Sequence, residues 1–213
     1  MPRPKKTAVQ IEQMRARILD CATAILNESG PDAISSRSIA ERLGIAHMTL
    51  YTYFANQGEI LQSLIDREWI RVRSDLQEFE GDMSPDTVIT VIHRVLHYIS
   101  DYGTQNPNMY KLTWVSNHTS FESREQNIDR LRALVNQFAQ VLSYGIDCGI
   151  LYQRDPFIAA ITTLTMMNAP FFLYYSGKMG DMYMCNIVEG ELYQNALMYL
   201  IKPEFLAKQN MVR

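Results

Sequence analysis

The sequence predicts an all-α fold, and three observations support this. Apolar residues recur at three- and four-residue steps over long stretches, whereas the strict alternation bounded by hairpin turns that is typical of strands is absent. Only 10 glycines and 8 prolines interrupt the 213 residues, so long helices are possible. Hydrophobic residues make up 47% of the chain, which is enough for a sizeable core without disulfides or metal.

The first predicted helix covers residues 9–28. Apolar side chains from Ile11 to Leu26 occupy one face of it, and Ser29-Gly30-Pro31 stops it. A second long amphipathic helix begins at Gln57 and continues to about Phe79.

Later helices are marked by their start and stop signals. Ser84-Pro85 and Asp155-Pro156 each supply an N-cap and a first-turn proline. Breaks at residues 103–107, 117–120, 149–155 and 176–181 separate four further helices.

Residues 35–54 have the pattern of a helix-turn-helix. Ser35 caps a short helix with an apolar face, Gly44 makes the tight turn and Ile45 fills the corner. Leu50 and Phe54 form the buried face of a second short helix. Because core packing fixes the angle of this second helix, its outward residues are placed to enter a major groove. The outward candidates are His47, Met48, Thr49, Tyr51, Thr52 and Tyr53.

Three segments of this region resemble the DNA-binding domain of the TetR family of transcriptional regulators. They are Ile18-Leu19-Asp20-Cys21-Ala22, Ile39-Ala40-Glu41-Arg42-Leu43-Gly44-Ile45 and Leu50-Tyr51-Thr52-Tyr53-Phe54, and the resemblance covers about residues 9–61. It implies a helix-turn-helix DNA-binding domain over residues 1–56, with a basic N-terminal arm. It also implies a helical ligand-binding and dimerisation domain over residues 57–213.

The resemblance assigns roles to individual residues. Thr49, Tyr51 and Tyr53 match positions that touch the DNA backbone or bases, and Arg37 matches a frequent phosphate contact. His47 and Met48 lie where base edges are usually read. For the two tyrosines a packing role stays open, and for Met48 that of a passive surface residue.

Two departures from the family pattern affect the same region. Ala46 stands where the family often has a serine cap, a loss that usually costs about 1 kcal/mol. Gln57 stands where a lysine is usual, so one positive charge that would contact a DNA phosphate is missing. The expected slope of log affinity against log salt concentration is smaller by about one unit.

The charge of the chain is unevenly distributed. The formal net charge is -3, but residues 1–17 hold five Lys or Arg against one Glu, a local net of +4, which leaves -7 on the rest. The arm from Pro2 to Lys6 is either a segment that follows phosphates or the minor groove, or a solvated tail. Because the remainder is acidic, non-specific DNA binding is expected to be weak.

The middle helices are rich in large rings with polar tips. Most of these rings are expected in the core, but the family resemblance implies an effector pocket that suits an aromatic or largely apolar small molecule. The candidates are Trp69, His93, His97, Tyr110, Trp114, His118 and Phe138. His93 and His97 have the spacing of a zinc pair, but the Glu of an HExxH motif is missing and no third ligand is evident, so we expect no metal site.

Residues 156–177 carry no charged side chain, and this segment is long enough to span a bilayer. Their polar groups and the lack of a second such span favour instead a helix buried by its own domain and by a partner subunit. The last predicted helix supplies a second such surface through Ile187, Val188, Leu192, Leu197 and Leu200. A homodimer through these two helices, without membrane contact, is therefore expected.

Together these features predict a cytoplasmic, dimeric repressor that an unknown small molecule releases from a double-stranded operator. The three cysteines lack CxxC spacing, which fits a reduced compartment. No nucleophile arrangement or phosphate loop is present, so no enzyme activity and no cofactor are predicted. The alternatives are a helical small-molecule-binding protein or enzyme with a vestigial DNA-binding head, and a helix-turn-helix used only for protein contacts.

Overall fold

The all-α prediction is confirmed by a computed structural model of the chain, which describes residues 7–77, 84–116 and 121–209. Within these ranges there is no strand, only an isolated bridge between Leu151 and Ile201. The helices are α1 (Ala8–Ser29), α2 (Ser36–Leu43), α3 (His47–Leu50), α4 (Gln57–Gln77), α5 (Pro85–Gln105), α6 (Pro107–Tyr110), α7 (Phe121–Asp147), α8 (Pro156–Tyr175), α9 (Met182–Leu200) and α10 (Pro203–Gln209). A 3-10 turn at Pro31–Ala33 and a π-helical turn at Lys111–Val115 complete them.

The helix signals in the sequence are largely correct. Asp155 caps α8 by accepting a hydrogen bond from the Ile158 N–H at 2.8 Å, and Pro156 follows it. At the start of α5, the Thr87 hydroxyl oxygen accepts from the Ser84 N–H at 2.9 Å. The breaks predicted at 103–107 and 117–120 leave one helix between them, where the structure has α6 followed by the π-helical turn. The sequence did not predict α10. The predicted break at 117–120 and the helix end near Phe79 lie outside the described residues.

The chain packs as two compact units. The N-terminal unit comprises Met1–Arg71 and Asn108–Arg124, and the C-terminal unit comprises Val72–Pro107 and Glu125–Arg213. The division falls inside α4, whereas the domain boundary predicted from the sequence coincides with the first residue of α4. That boundary stays a prediction, because compact packing does not establish which segment folds by itself.

Each unit has its own core. In the N-terminal unit, apolar residues of α1, α2 and α4 surround Leu50 and Phe54, the two buried side chains that follow the turn of the helix-turn-helix. The surrounding residues include Ile18, Ala22, Leu26, Ile39, Ile60, Leu64 and Ile65. In the C-terminal unit, α5, α7, α8 and α9 share a second core, which includes Val88, Ile92, Leu96, Leu142, Ala160, Met167, Ala196 and Leu200.

The break predicted at residues 103–107 begins too early, because Gly103 is inside α5. The helix continues to Gln105 and is capped by Asn106. Gly103 is needed for packing, since a Cβ there would lie 2.6 Å from the ring of Phe171 on α8. Beside it, the Tyr175 hydroxyl donates to the Gly103 carbonyl at 2.7 Å, and burial raises the pKa of Tyr175 to about 12.

Gly103→Ala is therefore expected to destabilise the C-terminal unit by about 1–3 kcal/mol, since the added methyl group overpacks the contact between α5 and α8. Urea denaturation measures this. Gly180→Ala is the control, because a Cβ at Gly180 has nothing within 4 Å. Equal stability of the two variants would show that Phe171 moves aside freely.

Candidate nucleic-acid interface

Helix α2 has the start and end that the sequence predicts. The Ser35 hydroxyl oxygen accepts from the Ser38 N–H at 2.9 Å, and the Ser38 hydroxyl oxygen accepts from the Ser35 N–H at 2.9 Å. The helix ends at Gly44, whose φ of 65° lies in the left-handed region that glycine adopts without strain. The cap at Ser35 and the left-handed turn at Gly44 set the direction in which the chain enters the next helix.

The second helix of the pair is shorter than predicted. Helix α3 ends at Leu50, and a turn carries the chain to Phe54, whose N–H donates to the Leu50 carbonyl at 3.1 Å. As expected from the sequence, Ala46 gives α3 no side-chain cap. Leu50 and Phe54 are nonetheless buried, with Phe54 only 2% exposed. Core anchoring, not helix length, therefore positions this recognition segment, residues 46–54.

The outward side chains of the recognition segment fall into two groups. His47, Met48 and Thr52 are exposed, Met48 by 70%. The ring of Tyr51 is 39% exposed and meets His47 edge-on, with centroids 5.2 Å apart. Thr49 and Tyr53 are half-buried, and Tyr53 packs against the core of the unit.

Arg15 of α1 holds the end of the recognition segment. Its guanidinium donates to the Tyr53 carbonyl and to Glu59 Oε1, the latter at 3.0 Å, and lies over the Phe54 ring at 4.0 Å from the centroid. The other oxygen of Glu59 accepts from the Ala55 N–H at 2.5 Å. In the sequence Arg15 is visible only as a positive charge, since partners 38 and 44 residues away leave no local signal.

Arg15→Met keeps an apolar side chain of similar length at this position but removes the hydrogen bonds to Tyr53 and Glu59 and the guanidinium over the Phe54 ring. We expect the N-terminal unit to lose about 1 kcal/mol of stability, a figure reduced by partial exposure of the pair. Urea denaturation measures this loss. Arg67→Met, which breaks the more exposed pair with Asp20 that a single hydrogen bond joins, is the control and should leave stability nearly unchanged. An equal response of the two variants would contradict the role given to Arg15.

Two further residues at the surface are engaged within the chain. Arg37 is 84% exposed and ion-paired at 2.9 Å with Glu41, one turn along α2, and this hydrogen bond raises the pKa of the guanidinium. A phosphate would have to displace Glu41, which is feasible because exposed pairs contribute little. Gln57, at the first turn of α4, donates from Nε2 to the Ile34 carbonyl at 2.9 Å.

The helix-turn-helix geometry and the sequence lead to the same family. The family profile described as "Bacterial regulatory proteins, tetR family" matches residues 18–64, which include α2, α3 and the anchors Leu50 and Phe54. Over these residues the chain is similar to the TetR family.

Curated relatives show the same similarity. The "HTH-type transcriptional repressor KstR" of Mycolicibacterium smegmatis is 40% identical over 60 residues, which are 28% of this chain and 29% of that protein. KstR of Mycobacterium tuberculosis is 38% identical over 134 residues, 62% of this chain and 60% of that protein. The chain thus matches between about a third and three fifths of these relatives' length.

The likeness of the fold extends further than that of the sequence. The solved structure of SmeT, the repressor of the Stenotrophomonas maltophilia multidrug efflux pump SmeDEF, in complex with triclosan, matches with a TM-score of 0.67. It covers 90% of this chain and 93% of that chain at 20% identity. The TetR fold therefore includes both units.

The effector residues predicted from the sequence separate into two groups. In the N-terminal unit, Trp69 and Trp114 meet at 6.1 Å between ring centroids, and the buried Tyr110 lies 6.3 Å from Trp114. The Trp69 indole nitrogen is buried without a hydrogen-bond partner in the described part of the chain.

The second group is in the C-terminal unit. Phe138 is buried in its core, whereas His93 is half-buried and His97 is exposed. Both histidines contact Tyr193, a residue that the sequence analysis did not single out. His118 and the basic arm over residues 2–6 lie outside the described residues.

A cleft of about 460 Å³ lies between α1, α4 and Met109 in the N-terminal unit, and none of the effector candidates that the structure describes lines it. Its walls are charged. Arg67 of α4 pairs with Asp20 of α1 at 2.8 Å, and Arg71 pairs with Glu68 at 2.5 Å. These charges recur at three- and four-residue steps, which in the sequence is indistinguishable from a solvated helix face.

Helices α8 and α9 expose a group of large apolar side chains, here named the apolar face. It comprises Phe157, Ile158, Phe172, Leu173, Tyr183, Met184, Ile187 and Met198. Two predicted members are wrong, because Leu197 and Leu200 point into the chain's own core with Ala196. Within the described residues, Pro156–Tyr175 is long and apolar enough to cross a membrane, a test that core helices of soluble proteins also pass, and 33% of its most apolar window is buried.

Proposed function

We propose that this chain is a TetR-family DNA-binding transcriptional repressor that works as a homodimer and responds to a small molecule. The observation that carries the proposal is the recognition segment: Leu50 and Phe54 are locked into the core while His47, Met48 and Tyr51 face outward. A rigid base with exposed side chains is what major-groove recognition requires. The KstR relatives described as transcriptional repressors support the regulatory role.

Within this proposal the contacts divide by chemistry. The hydroxyls of Thr49, Tyr51 and Tyr53 and the guanidinium of Arg37 bind phosphates, which fixes the register of the head on the duplex. His47 and Met48 meet base edges, with Thr52 beside them, and these contacts discriminate between sequences. The basic arm adds phosphate contacts that do not depend on sequence.

The homodimer forms through the apolar face. Its large exposed side chains lie on two helices that pack against each other, α8 and α9, and they suit burial against a second copy in a symmetric interface. Two heads held about 34 Å apart then meet successive major grooves of a near-palindromic operator. The protein acts in the cytoplasm, on double-stranded DNA, without membrane contact, catalysis or cofactor.

The effector is an aromatic or largely apolar molecule. The rings of Trp69, Tyr110 and Trp114 favour a planar ligand. The Trp69 N–H, which has no partner among the described residues, favours a ligand that carries a hydrogen-bond acceptor. The SmeT complex with triclosan gives an aromatic precedent in the same fold. Effector binding favours a dimer conformation in which the two DNA-binding domains are no longer spaced to enter successive major grooves, so DNA affinity falls.

Salt-titrated binding to the DNA upstream of the chain's own gene tests the proposal. We expect affinity at least about 10³-fold higher than for a scrambled duplex at physiological salt, with a steep dependence on salt. The scrambled duplex of equal length and composition is the matched control. Equal affinity for both duplexes with a weak salt dependence would favour the vestigial-head alternative and overturn the proposal.

Tyr51→Phe tests the division between phosphate and base contacts. It removes one hydroxyl without changing the ring, so binding is expected to fall by about tenfold or more at the operator and at its single-base variants alike. Fluorescence anisotropy with that set of duplexes measures the effect. A change in which base is preferred would instead place Tyr51 at a base edge.

A further inference from the structure

Three side chains in the C-terminal unit converge on one point. His93 and His97 stand one turn apart on α5, and Tyr193 reaches them from α9. The Tyr193 hydroxyl oxygen lies 2.5 Å from His93 Nδ1 and 2.9 Å from His97 Nε2. The two imidazole rings are stacked, with centroids 6.4 Å apart and planes 24° apart.

This arrangement places two good metal ligands within reach of one ion. Since both nitrogens contact the same oxygen, they are at most 5.4 Å apart. Two imidazoles on a tetrahedral Zn²⁺ have bonds of about 2.0–2.1 Å, which puts their nitrogens about 3.4 Å apart. Modest side-chain rotation closes that difference, and the exposure of His97 leaves a path for the ion.

We propose that His93, His97 and Tyr193 bind one divalent transition-metal ion of the Zn²⁺ class. Imidazole nitrogen suits Zn²⁺, Co²⁺, Ni²⁺ and Cu²⁺. The phenol oxygen of Tyr193 is the third ligand and releases its proton to solvent when the ion binds. Water takes the fourth position, which the exposure of His97 keeps accessible. Glu189, one turn before Tyr193 on α9, adds a negative charge to the same side of that helix.

The site goes beyond the proposed function and departs from the sequence prediction of no metal. The His pair was visible in the sequence, but the third ligand is 96 residues from the nearer histidine. Among the described residues no group of three or more His, Cys, Asp or Glu could hold a metal ion, so Tyr193 is the residue that completes the set. An ion there joins α5 to α9, the helix that carries half of the apolar face.

Calorimetric titration of the tag-free full chain with ZnCl₂ at pH 7.5, without DNA, tests the site. We expect one ion per chain, a rise in melting temperature at saturating zinc, and release of a proton that is seen by repeating the titration in buffers of different ionisation enthalpy. Co²⁺ in place of Zn²⁺ should give visible absorption bands. Affinity should fall at acidic pH, because protonated imidazole cannot bind a metal.

Variants separate this site from adventitious binding. His97→Gln and His93→Gln should each weaken binding by at least about tenfold, and Tyr193→Phe should weaken it and remove the released proton. Cys148→Ser, which removes an exposed thiol elsewhere in the same unit, is the control and should bind as the original chain does. Circular dichroism checks that each variant is folded.

Two results would overturn the site. One is the absence of stoichiometric binding to the unmodified chain. The other is unchanged affinity in the folded histidine variants or in Tyr193→Phe, which would leave the cluster as a hydrogen-bonded contact between α5 and α9. Neither result bears on DNA binding, so the proposed function stands or falls separately.

Discussion

Phe54→Ala is expected to abolish DNA binding at every sequence, because it removes the anchor of the recognition segment. The Phe54 ring is 2% exposed and lies between the core of the N-terminal unit and the Arg15 guanidinium. Truncation of a buried Phe to Ala typically costs 3–5 kcal/mol, roughly on the scale of the stability of a small domain. Hydrogen exchange should show lost protection over α2 and α3, and anisotropy should show no operator complex.

Met48→Ala is the matched control for this prediction. Met48 is 70% exposed, so its truncation should leave hydrogen exchange of the head unchanged. If Met48 reads a base edge, operator affinity falls while affinity for scrambled DNA does not. An operator complex of normal affinity with Phe54→Ala would show that core anchoring does not position the segment.

Ile187→Glu is expected to convert the dimer into a monomer. Ile187 is 45% exposed on α9, beside Met184 and Tyr183 on the apolar face. A carboxylate buried in such an interface without a partner loses its hydration and costs several kcal/mol. Light scattering should then change from twice the chain mass to a value near 24.6 kDa. Affinity for the palindromic operator should fall to that of a single half-site, because the second head is no longer tethered.

Ile128→Glu is the control, since it makes the same change on another exposed isoleucine, on α7. The mass of this variant should stay that of the dimer. A mass near 24.6 kDa for the unmodified chain at micromolar concentration, or a dimer that survives Ile187→Glu, would contradict an interface through α8 and α9.

Features that depend on neighbours in the chain were predictable from the sequence. Ser35 caps a helix with its own first turn, and Gly44 turns the chain because only glycine enters the left-handed region without strain. Asp155-Pro156 starts α8 for the same local reasons. The burial of Leu50 and Phe54 follows from their positions relative to the turn. The caps, the turn and the buried anchors of the candidate site were therefore predictable from interactions between residues close in sequence.

Features that depend on distant partners were not predictable. Gly103 looks like a helix breaker until Phe171, which is 68 residues later in the chain, is seen against it. Arg15 looks like one more basic residue near the N-terminus, and its role follows from Tyr53 and Glu59. Leu197 and Leu200 share a helix with Ile187, but only packing decides that they face inward.

Selection of duplexes from a pool of random DNA by the purified full chain tests directly whether the protein is a sequence-specific regulator. A near-palindromic motif with half-sites about one helical turn apart is expected to be enriched, and Met48→Ala or His47→Ala is expected to alter the preferred bases within each half-site. Enrichment of no motif, with every duplex bound equally at physiological salt, would contradict a sequence-specific regulator.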